Sequence, residues 1–262
     1  MKLKAGIIII GSLLWDNSKK RKFWRKNYLN KRKINVSLPI RYGRISSSRM
    51  DTYTMTYCPK LNKKDYGQGI ILEFKDPITS LDHLKEISEN TIRVERDKTK
   101  EEWKVIKSGE PFTLNWNWGV LGICINPKHK QEDVFSKDIS EILELWKNSL
   151  VNFNPNKFSL NGEPLMINKD GVFVIDWTES INKFDFLISV IVEPNTETED
   201  GKYPDANRIA KKMYEGNYYS YFINNIENSI HTNVDEEIKR LIKSQYCVSN
   251  YIMKLEGKKA RT

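Results

Sequence analysis

Ile7-Ile-Ile-Ile-Gly-Ser-Leu-Leu-Trp15 stands near the start of the chain and decides how the rest can be arranged. A run of β-branched residues between Gly6 and Gly11 is typical of a strand buried on both faces at the centre of a sheet. Gly11 then allows a sharp turn, and the amide hydrogens of Ser12 to Leu14 can converge there on a carboxylate or phosphate. A tight turn whose apolar side chains only pack is the alternative interpretation.

Composition excludes several classes of protein. The chain has 262 residues, 43 Lys and Arg against 34 Asp and Glu, and 39% hydrophobic residues, which is enough to bury a sizeable core and excludes a disordered protein. Cys58, Cys124 and Cys247 are far apart and the three histidines are isolated, so neither a metal site nor a disulfide framework is predicted. These features indicate a reducing, cytoplasmic location.

No membrane attachment is expected. The chain contains no run of about 18 apolar residues, the minimum for a membrane-spanning helix. The first fifteen residues resemble a signal peptide, but no cleavage site follows and the next segment, Asp16 to Lys26, is rich in Lys and Arg.

Strands are predicted mainly in the first two thirds of the chain. Alternating or continuous apolar patterns indicate strands, and Asn161-Gly162 and Asp170-Gly171 are turn signals within a predicted hairpin. These segments are Lys31 to Arg49, Met50 to Tyr57, Gly67 to Phe74, Trp116 to Ile125, the hairpin from Phe158 to Trp177, and Phe184 to Val192.

Helices are predicted where apolar residues recur at every third or fourth position. The four segments are Thr79 to Glu89, Asp138 to Leu150, Asp205 to Ile230 and Val234 to Leu255. Strands followed by a helical end indicate an α+β fold rather than alternating βαβ units. We divide the chain into residues 1–195, which carry the sheet, and residues 196–262, a helical extension packed on it.

Charged candidates for a site lie on two segments. Arg41 and Arg44 lie on opposite faces of one predicted strand, and an arginine facing a cleft would bind an acidic small molecule through two hydrogen bonds. Glu86, Glu89 and Glu95 follow the fourth strand, where packing against a sheet can raise a carboxylate pKa into the range of proton transfer. Solvated surface charges are the alternative in both cases.

The order of these segments resembles the gamma-glutamyl cyclotransferase-like superfamily over about Ala5 to Asn90. The similarity consists of Gly-Ser-Leu-Leu-Trp after an apolar strand, a Pro-x-x-x-x-Arg-Ile-Ser strand, a Thr/Tyr-rich strand, a Gly-rich strand ending in Glu-Phe, and a helix ending in Glu89-Asn90-Thr91. Members usually begin with Tyr-Gly-Ser-Leu and place Gly after a catalytic glutamate. This chain has Ile10 and Asn90 at those two positions.

The resemblance implies a small mixed β-barrel with flanking helices, and an enzyme classed as a transferase or lyase. It also implies that Gly11, Ser12 and Leu13 hold the gamma-glutamyl part of a substrate and that Glu89 is the general acid/base. The expected reaction releases 5-oxoproline from a gamma-glutamyl amine or peptide, with no metal and no organic cofactor. Arg44 is the candidate contact for a substrate carboxylate.

A basic segment predicts a different function. Residues Lys19 to Lys33 contain nine Lys or Arg in fifteen positions, interleaved with Phe23 and Trp24, as in proteins that bind a nucleic-acid backbone. The competing hypothesis is therefore a non-catalytic barrel module that binds nucleic acid or an acidic partner through this segment. A solvated surface with two anchoring aromatics is the simpler interpretation of the same residues.

Overall fold

A computed structural model describes residues 1–96, 112–131, 134–160, 162–198 and 201–245. Within these ranges the chain forms ten β-strands and six α-helices. The strands are β1 Ala5–Ile9, β2 Leu29–Leu38, β3 Ile40–Ser46, β4 Thr52–Tyr57, β5 Gly67–Phe74, β6 Asn115–Trp116, β7 Gly119–Ile125, β8 Lys130–Gln131, β9 Val134–Phe135 and β10 Phe186–Val192. The helices are α1 Lys19–Tyr28, α2 Leu81–Arg96, α3 Lys137–Asn148, α4 Ala206–Glu215, α5 Ser220–Glu227 and α6 Asp235–Ser244.

The main sheet has six strands in the order β2-β5-β1-β10-β7-β6. β1 lies inside it, antiparallel to β5 and parallel to β10. All five residues of β1 are buried, which confirms the prediction of a central strand from its unbroken apolar run. The segment that follows Ile10 therefore leaves the sheet from its interior rather than from an edge.

A second, two-stranded ribbon is formed by β3 and β4. Pro39 separates β2 from β3, so the single strand predicted from Lys31 to Arg49 is divided in two. The Ile45 amide donates a hydrogen bond to the Asn195 carbonyl at 2.9 Å, and the Asn195 amide donates to the Gly43 carbonyl at 2.9 Å. These bonds join the ribbon to the segment that follows β10.

The helices lie in two groups. α1 packs against α2 and β2, whereas α4 packs against β4 and α6. None of the six described helices combines the length and hydrophobicity needed to cross a bilayer.

The strongest local patterns agree with the observed elements. β5 has the predicted bounds, and β10 and α3 differ from prediction by two residues or fewer at each end. α2 begins next to Ser80, whose Oγ accepts a hydrogen bond from the His83 amide at 3.1 Å, as expected for a helix cap. This helix continues seven residues beyond Glu89, to Arg96, and that extension changes which glutamates face the turn after β1.

Other predicted elements differ from the structure. The helix expected from Asp205 to Ile230 is two helices, because the chain turns at Gly216, where a β-carbon would lie 2.6 Å from the Met50 carbonyl oxygen. The hairpin expected between Phe158 and Trp177 is reduced to one bridge between Ile167 and Phe173, and position 161 of its first turn lies outside the described residues. The helix expected to reach position 255 is described only to Ser244.

The structure confirms the α+β class, with a mixed sheet and helices. It contains no closed barrel within the described ranges: the six-stranded sheet is open, and β2 and β6 are its edges. The ends of both strands differ for a reason visible in sequence, since β2 stops at a proline and β6 is two residues long.

Candidate active site

The chain leaves β1 through a short helical turn. The Leu14 amide donates to the Gly11 carbonyl at 3.1 Å, and the Asp16 amide donates to the Ser12 carbonyl at 2.9 Å. The first amides of a helical turn have no preceding carbonyl to bind. Accordingly, the N–H groups of Ser12 and Leu13 donate to no acceptor in the described part of the chain, and both can bind a ligand.

Two arginines meet at the Ser12 hydroxyl. Arg21 Nη1 and Arg49 Nη2 each donate a hydrogen bond to Ser12 Oγ at 2.8 Å. A hydroxyl oxygen has two acceptor lone pairs and one hydrogen. Because both lone pairs are used, the hydroxyl hydrogen remains to be donated, and an anionic oxygen placed here would meet a hydroxyl and two guanidinium groups.

Arg21 also connects Ser12 to two carboxylates. Its Nη1 lies 3.0 Å from Asp16 Oδ2 and its Nη2 lies 3.2 Å from Glu95 Oε2, while its Nε donates to the Val94 carbonyl. The side chains of Arg21 and Glu95 are only 12% and 17% exposed. One buried guanidinium therefore places a carboxylate beside the turn that follows β1.

The two carboxylates have opposite pKa shifts. Burial raises the pKa of Glu95, and the charges of Arg21 and Arg49 only partly offset this effect. Burial also acts to raise the pKa of Asp16, but the hydrogen bond from the Ser18 amide and the charge of Arg21 outweigh it, so the pKa is lowered. Two acids whose environments separate their pKa values suit different roles: Glu95 can carry a proton, and Asp16 can remain ionised and hold Arg21.

The inner face of α1 positions these groups. Trp24 is buried and anchors the helix, and Arg21 and Arg25 lie one turn apart on the same side. Arg25 donates to the Leu13 carbonyl and to the Asp16 carbonyl, each at 2.7 Å. The helix thus fixes both the arginine of the site and the backbone of the turn.

The C-terminal region supplies another wall. The Arg49 guanidinium lies over the Tyr221 ring, 4.8 Å from its centroid, and Trp15 Nε1 donates to Asn225 Oδ1 at 2.6 Å. Tyr221 and Asn225 are both on α5 and both buried. The helical extension therefore completes the surroundings of the turn, a role that no local sequence pattern indicated.

Arg44, predicted as a carboxylate contact, lies at the margin of this cluster. Its guanidinium stacks over the Trp118 ring at 5.2 Å, and its Nη1 donates to the Glu193 carbonyl at 2.7 Å. Its charge nevertheless lowers the pKa of Glu95, so it contributes to the same electrostatic field. Together with Arg21, Arg25 and Arg49 it gives the site an excess of positive charge, which favours an anionic ligand.

Glu89 does not share the position of Glu95. Six residues of α-helix rotate a side chain by about 240°, so the two glutamates of α2 lie on different sides of the helix. Glu89 is partly exposed and makes no hydrogen bond or ion pair with the residues that the structure describes, while Glu86 accepts a hydrogen bond from the Tyr28 hydroxyl. The signal that identifies Glu95 is the apolar period of α2, which continues through Thr91 and Val94.

Two larger cavities lie elsewhere on the described surface. One, of about 400 Å³, is lined by polar residues around Gln68 and His231; the other, of about 750 Å³, lies beside α4 near Arg208. The described residues contain no cluster of three His, Cys, Asp or Glu side chains arranged to hold a metal ion.

The chain was compared with known proteins in three ways. No protein-family model matches it, and neither a curated protein nor a solved structure is similar to it.

Proposed function

We propose that this protein is a gamma-glutamyl cyclotransferase-like enzyme that releases 5-oxoproline from a gamma-glutamyl amine or peptide, with Glu95 as the general acid/base. The observation that carries the proposal is the bridge from Ser12 through Arg21 to Glu95, with contacts of 2.8 and 3.2 Å. It brings a proton-carrying carboxylate next to the Gly11-Ser-Leu13 turn. The sequence resemblance assigned that turn to substrate binding.

Substrate binding follows from the donors of the site. Arg49 and Arg21 suit the α-carboxylate of the gamma-glutamyl group, because a guanidinium pairs with a carboxylate through parallel hydrogen bonds. The amides of Ser12 and Leu13 suit the carbonyl oxygen of the side-chain amide, where negative charge develops during attack. Arg44 is more distant and acts in this proposal through its charge.

The reaction is an intramolecular aminolysis. The Glu95 carboxylate takes a proton from the substrate's α-ammonium group, and the amine nitrogen then attacks the γ-carbonyl carbon. A carbon–nitrogen bond forms to close the five-membered ring, and the bond to the leaving amine breaks as Glu95 returns its proton to that amine. No water is consumed, and a carboxylate whose pKa is raised by burial is a better base near neutral pH than an exposed one.

The architecture is compatible with this proposal. The open six-stranded sheet and the β3–β4 ribbon are joined through Asn195, and together they correspond to the barrel of the superfamily. Ile10 stands where members usually have Tyr, and the Tyr221 hydroxyl of α5 instead contacts this turn. The helical extension in this proposal supplies a phenol that the first strand lacks.

The test compares wild type with Glu95→Gln and Glu89→Gln, which make the same change on one helix. Each protein is incubated with a panel of gamma-glutamyl amines, dipeptides and glutathione, and 5-oxoproline is measured by mass spectrometry. We expect release by wild type and Glu89→Gln, and a loss of about 100-fold or more in Glu95→Gln. Circular dichroism confirms that both variants are folded.

Two results contradict the proposal. Full activity in Glu95→Gln together with loss in Glu89→Gln would return the catalytic role to the residue named from sequence. Absence of 5-oxoproline from wild type across the panel would reject the activity itself.

A further inference from the structure

Helix α1 separates its charges onto two faces. At 100° per residue, Arg21, Trp24 and Arg25 share the inner side, while Lys22 and Lys26 share the outer side. The structure agrees: the first three side chains are buried or partly buried in contacts with the protein, and the two lysines are exposed. The proposed active site therefore uses only the arginines of the basic segment, and the lysines remain unexplained.

The exposed lysines continue onto the edge of the sheet. β2 begins directly after α1 and is the first strand in the sheet order, so one of its edges has no partner strand. A register shift between Leu29 and Lys33 interrupts its pairing with β5, and residues 31–33 are consecutively exposed. Lys75 joins the two elements, since its amide donates to the Tyr28 carbonyl and its ammonium group donates to the Lys26 carbonyl.

We call this surface the basic face and define it by seven residues, Lys19, Lys22, Phe23, Lys26, Lys31, Arg32 and Lys75. Its cations are not neutralised by the protein. Lys19, Lys22, Lys26, Lys31, Arg32 and Lys75 form no ion pair within the described ranges. By contrast, α3, α4 and α6 each pair a lysine with a glutamate one turn away.

The lack of acidic residues is a property of a long stretch of sequence. Residues 17–50 contain twelve Lys or Arg and no Asp or Glu. A helix of lysines without i,i+4 carboxylates gains no stability from its charges, since like charges on one face repel. The pattern thus favours binding of an external polyanion over a structural role.

We propose that the basic face binds the phosphate backbone of single-stranded nucleic acid. Lys19, Lys22 and Lys26 form a row of about 10 Å along the helix. Phe23 lies between them and is 52% exposed, which leaves an aromatic ring beside the row of charges on which a base can stack. Lysines act as point charges toward phosphates and carry no base specificity, so binding is independent of sequence.

The composition of the face distinguishes this ligand from two others. Protein interfaces are depleted in lysine at their centre, which disfavours an acidic protein partner. Helices that lie in a membrane surface expose a broad apolar side, whereas here Phe23 is the one large apolar side chain on the outer face of α1 and Trp24 is buried.

The experiment measures binding of the full chain to a fluorescent single-stranded oligonucleotide of about 20 nucleotides by anisotropy, between about 50 and 200 mM salt. The variant Lys22→Glu/Lys26→Glu/Lys31→Glu removes three cations of the basic face. Its control, Lys60→Glu/Lys157→Glu/Lys169→Glu, makes the same charge change at exposed lysines elsewhere.

We expect the first triple variant to make the log–log salt slope less steep by about 2, because each phosphate contact with a single strand contributes about 0.7. The control should change it little. Phe23→Ala should weaken affinity roughly tenfold with an unchanged slope, because stacking is not electrostatic.

Three outcomes overturn the proposal. One is no saturable binding by wild type, and another is equal weakening by the two triple variants, which would reflect net charge alone. The third is equal affinity for polyglutamate or for anionic lipid vesicles, which would assign the face to an acidic protein or a membrane surface.

Discussion

The Tyr221 hydroxyl oxygen lies 2.6 Å from the position that a β-carbon on residue 11 would occupy. Gly11 and Tyr221 are thus in direct contact, although one follows the first strand and the other is on α5. The backbone of Gly11 does not have a positive φ, so the glycine is required by this close approach and not by a left-handed turn. Tyr221 cannot easily move aside, because it is 4% exposed and its hydroxyl accepts a hydrogen bond from the Met55 amide at 3.2 Å.

The first prediction concerns this contact. Gly11→Ala should lower the free energy of unfolding by about 1 to 3 kcal/mol, the usual cost of forcing a methyl group into a packed site. Urea denaturation measures it. In a Tyr221→Phe background, which removes the clashing oxygen, the same substitution should cost less than half as much. An equal cost in both backgrounds would show that the hydroxyl contact is not the cause.

Arg21 should set the proton affinity of Glu95. Its positive charge acts to lower the pKa of that carboxyl, so Arg21→Met should let the pKa rise further. Because the proposed base must be deprotonated, the acidic limb of the kcat/KM profile for 5-oxoproline release should move to higher pH. Arg96→Met, on the next residue but exposed, is the matched control, and a similar shift in that variant would contradict the assignment.

Two buried tryptophans should respond differently to the same substitution. Trp24 and Trp146 are 1% and 0% exposed, but only Trp146 Nε1 has an acceptor, the Leu121 carbonyl at 3.1 Å. Trp24 Nε1 has no hydrogen-bond partner among the described residues. Trp146→Phe should therefore destabilise the protein by about 1 kcal/mol more than Trp24→Phe, since it leaves a buried carbonyl unsatisfied. Thermal or urea unfolding of both variants tests this, and a larger loss in Trp24→Phe would refute it.

Asp235 should make stability depend on pH. Burial raises its pKa from the ordinary 3.8 to about 6, although hydrogen bonds from Thr232 and the charge of Lys239 act in the opposite direction. The native state therefore binds this proton more tightly than the unfolded state. Its contribution to the free energy of unfolding is present below about pH 4 and is lost as the pH rises through about 6.

The size of this effect is about 3 kcal/mol between the two limits, from 1.36 kcal/mol for each pKa unit. Urea unfolding from about pH 4 to 7 should show it as the difference between wild type and Asp235→Asn, which keeps the shape of the side chain. His231, whose Nδ1 is 3.8 Å from the carboxylate, is present in both proteins. A difference that is constant with pH, or that grows with it, would be inconsistent with a raised pKa.

Much of the fold was predictable from local pattern. β1, β5 and α3 were predicted close to their observed bounds, because a continuous or regularly spaced set of apolar residues has one way to bury itself. The break at Pro39 and the turn at Gly216 were missed, although each involves a residue that disrupts regular structure. The predicted closed barrel is not found in the described residues, because local pattern does not specify which strands pair at long range.

The candidate site was predictable only in part. Sequence pointed to the turn at Gly11, Ser12 and Leu13, and to a group of glutamates that included the observed one. It placed the catalytic role on Glu89, because the helix was expected to end there, whereas α2 continues to Arg96 and brings Glu95 to the turn. Neither Arg21 nor Arg49 stood out, since each lies in a segment of many similar charges.

By itself, then, the sequence determined the central strand, the sharp turn that leaves it, the α+β order and the strongly basic segment, because all four depend on the residue types of short stretches. Tertiary structure alone decided that Arg21 points inward while Lys22 points outward, that Arg49 and Glu95 meet around Ser12, and that Tyr221 closes the far side. Those contacts join residues separated by long intervals of chain. Their formation depends on how whole elements pack, which short-range spacing does not encode.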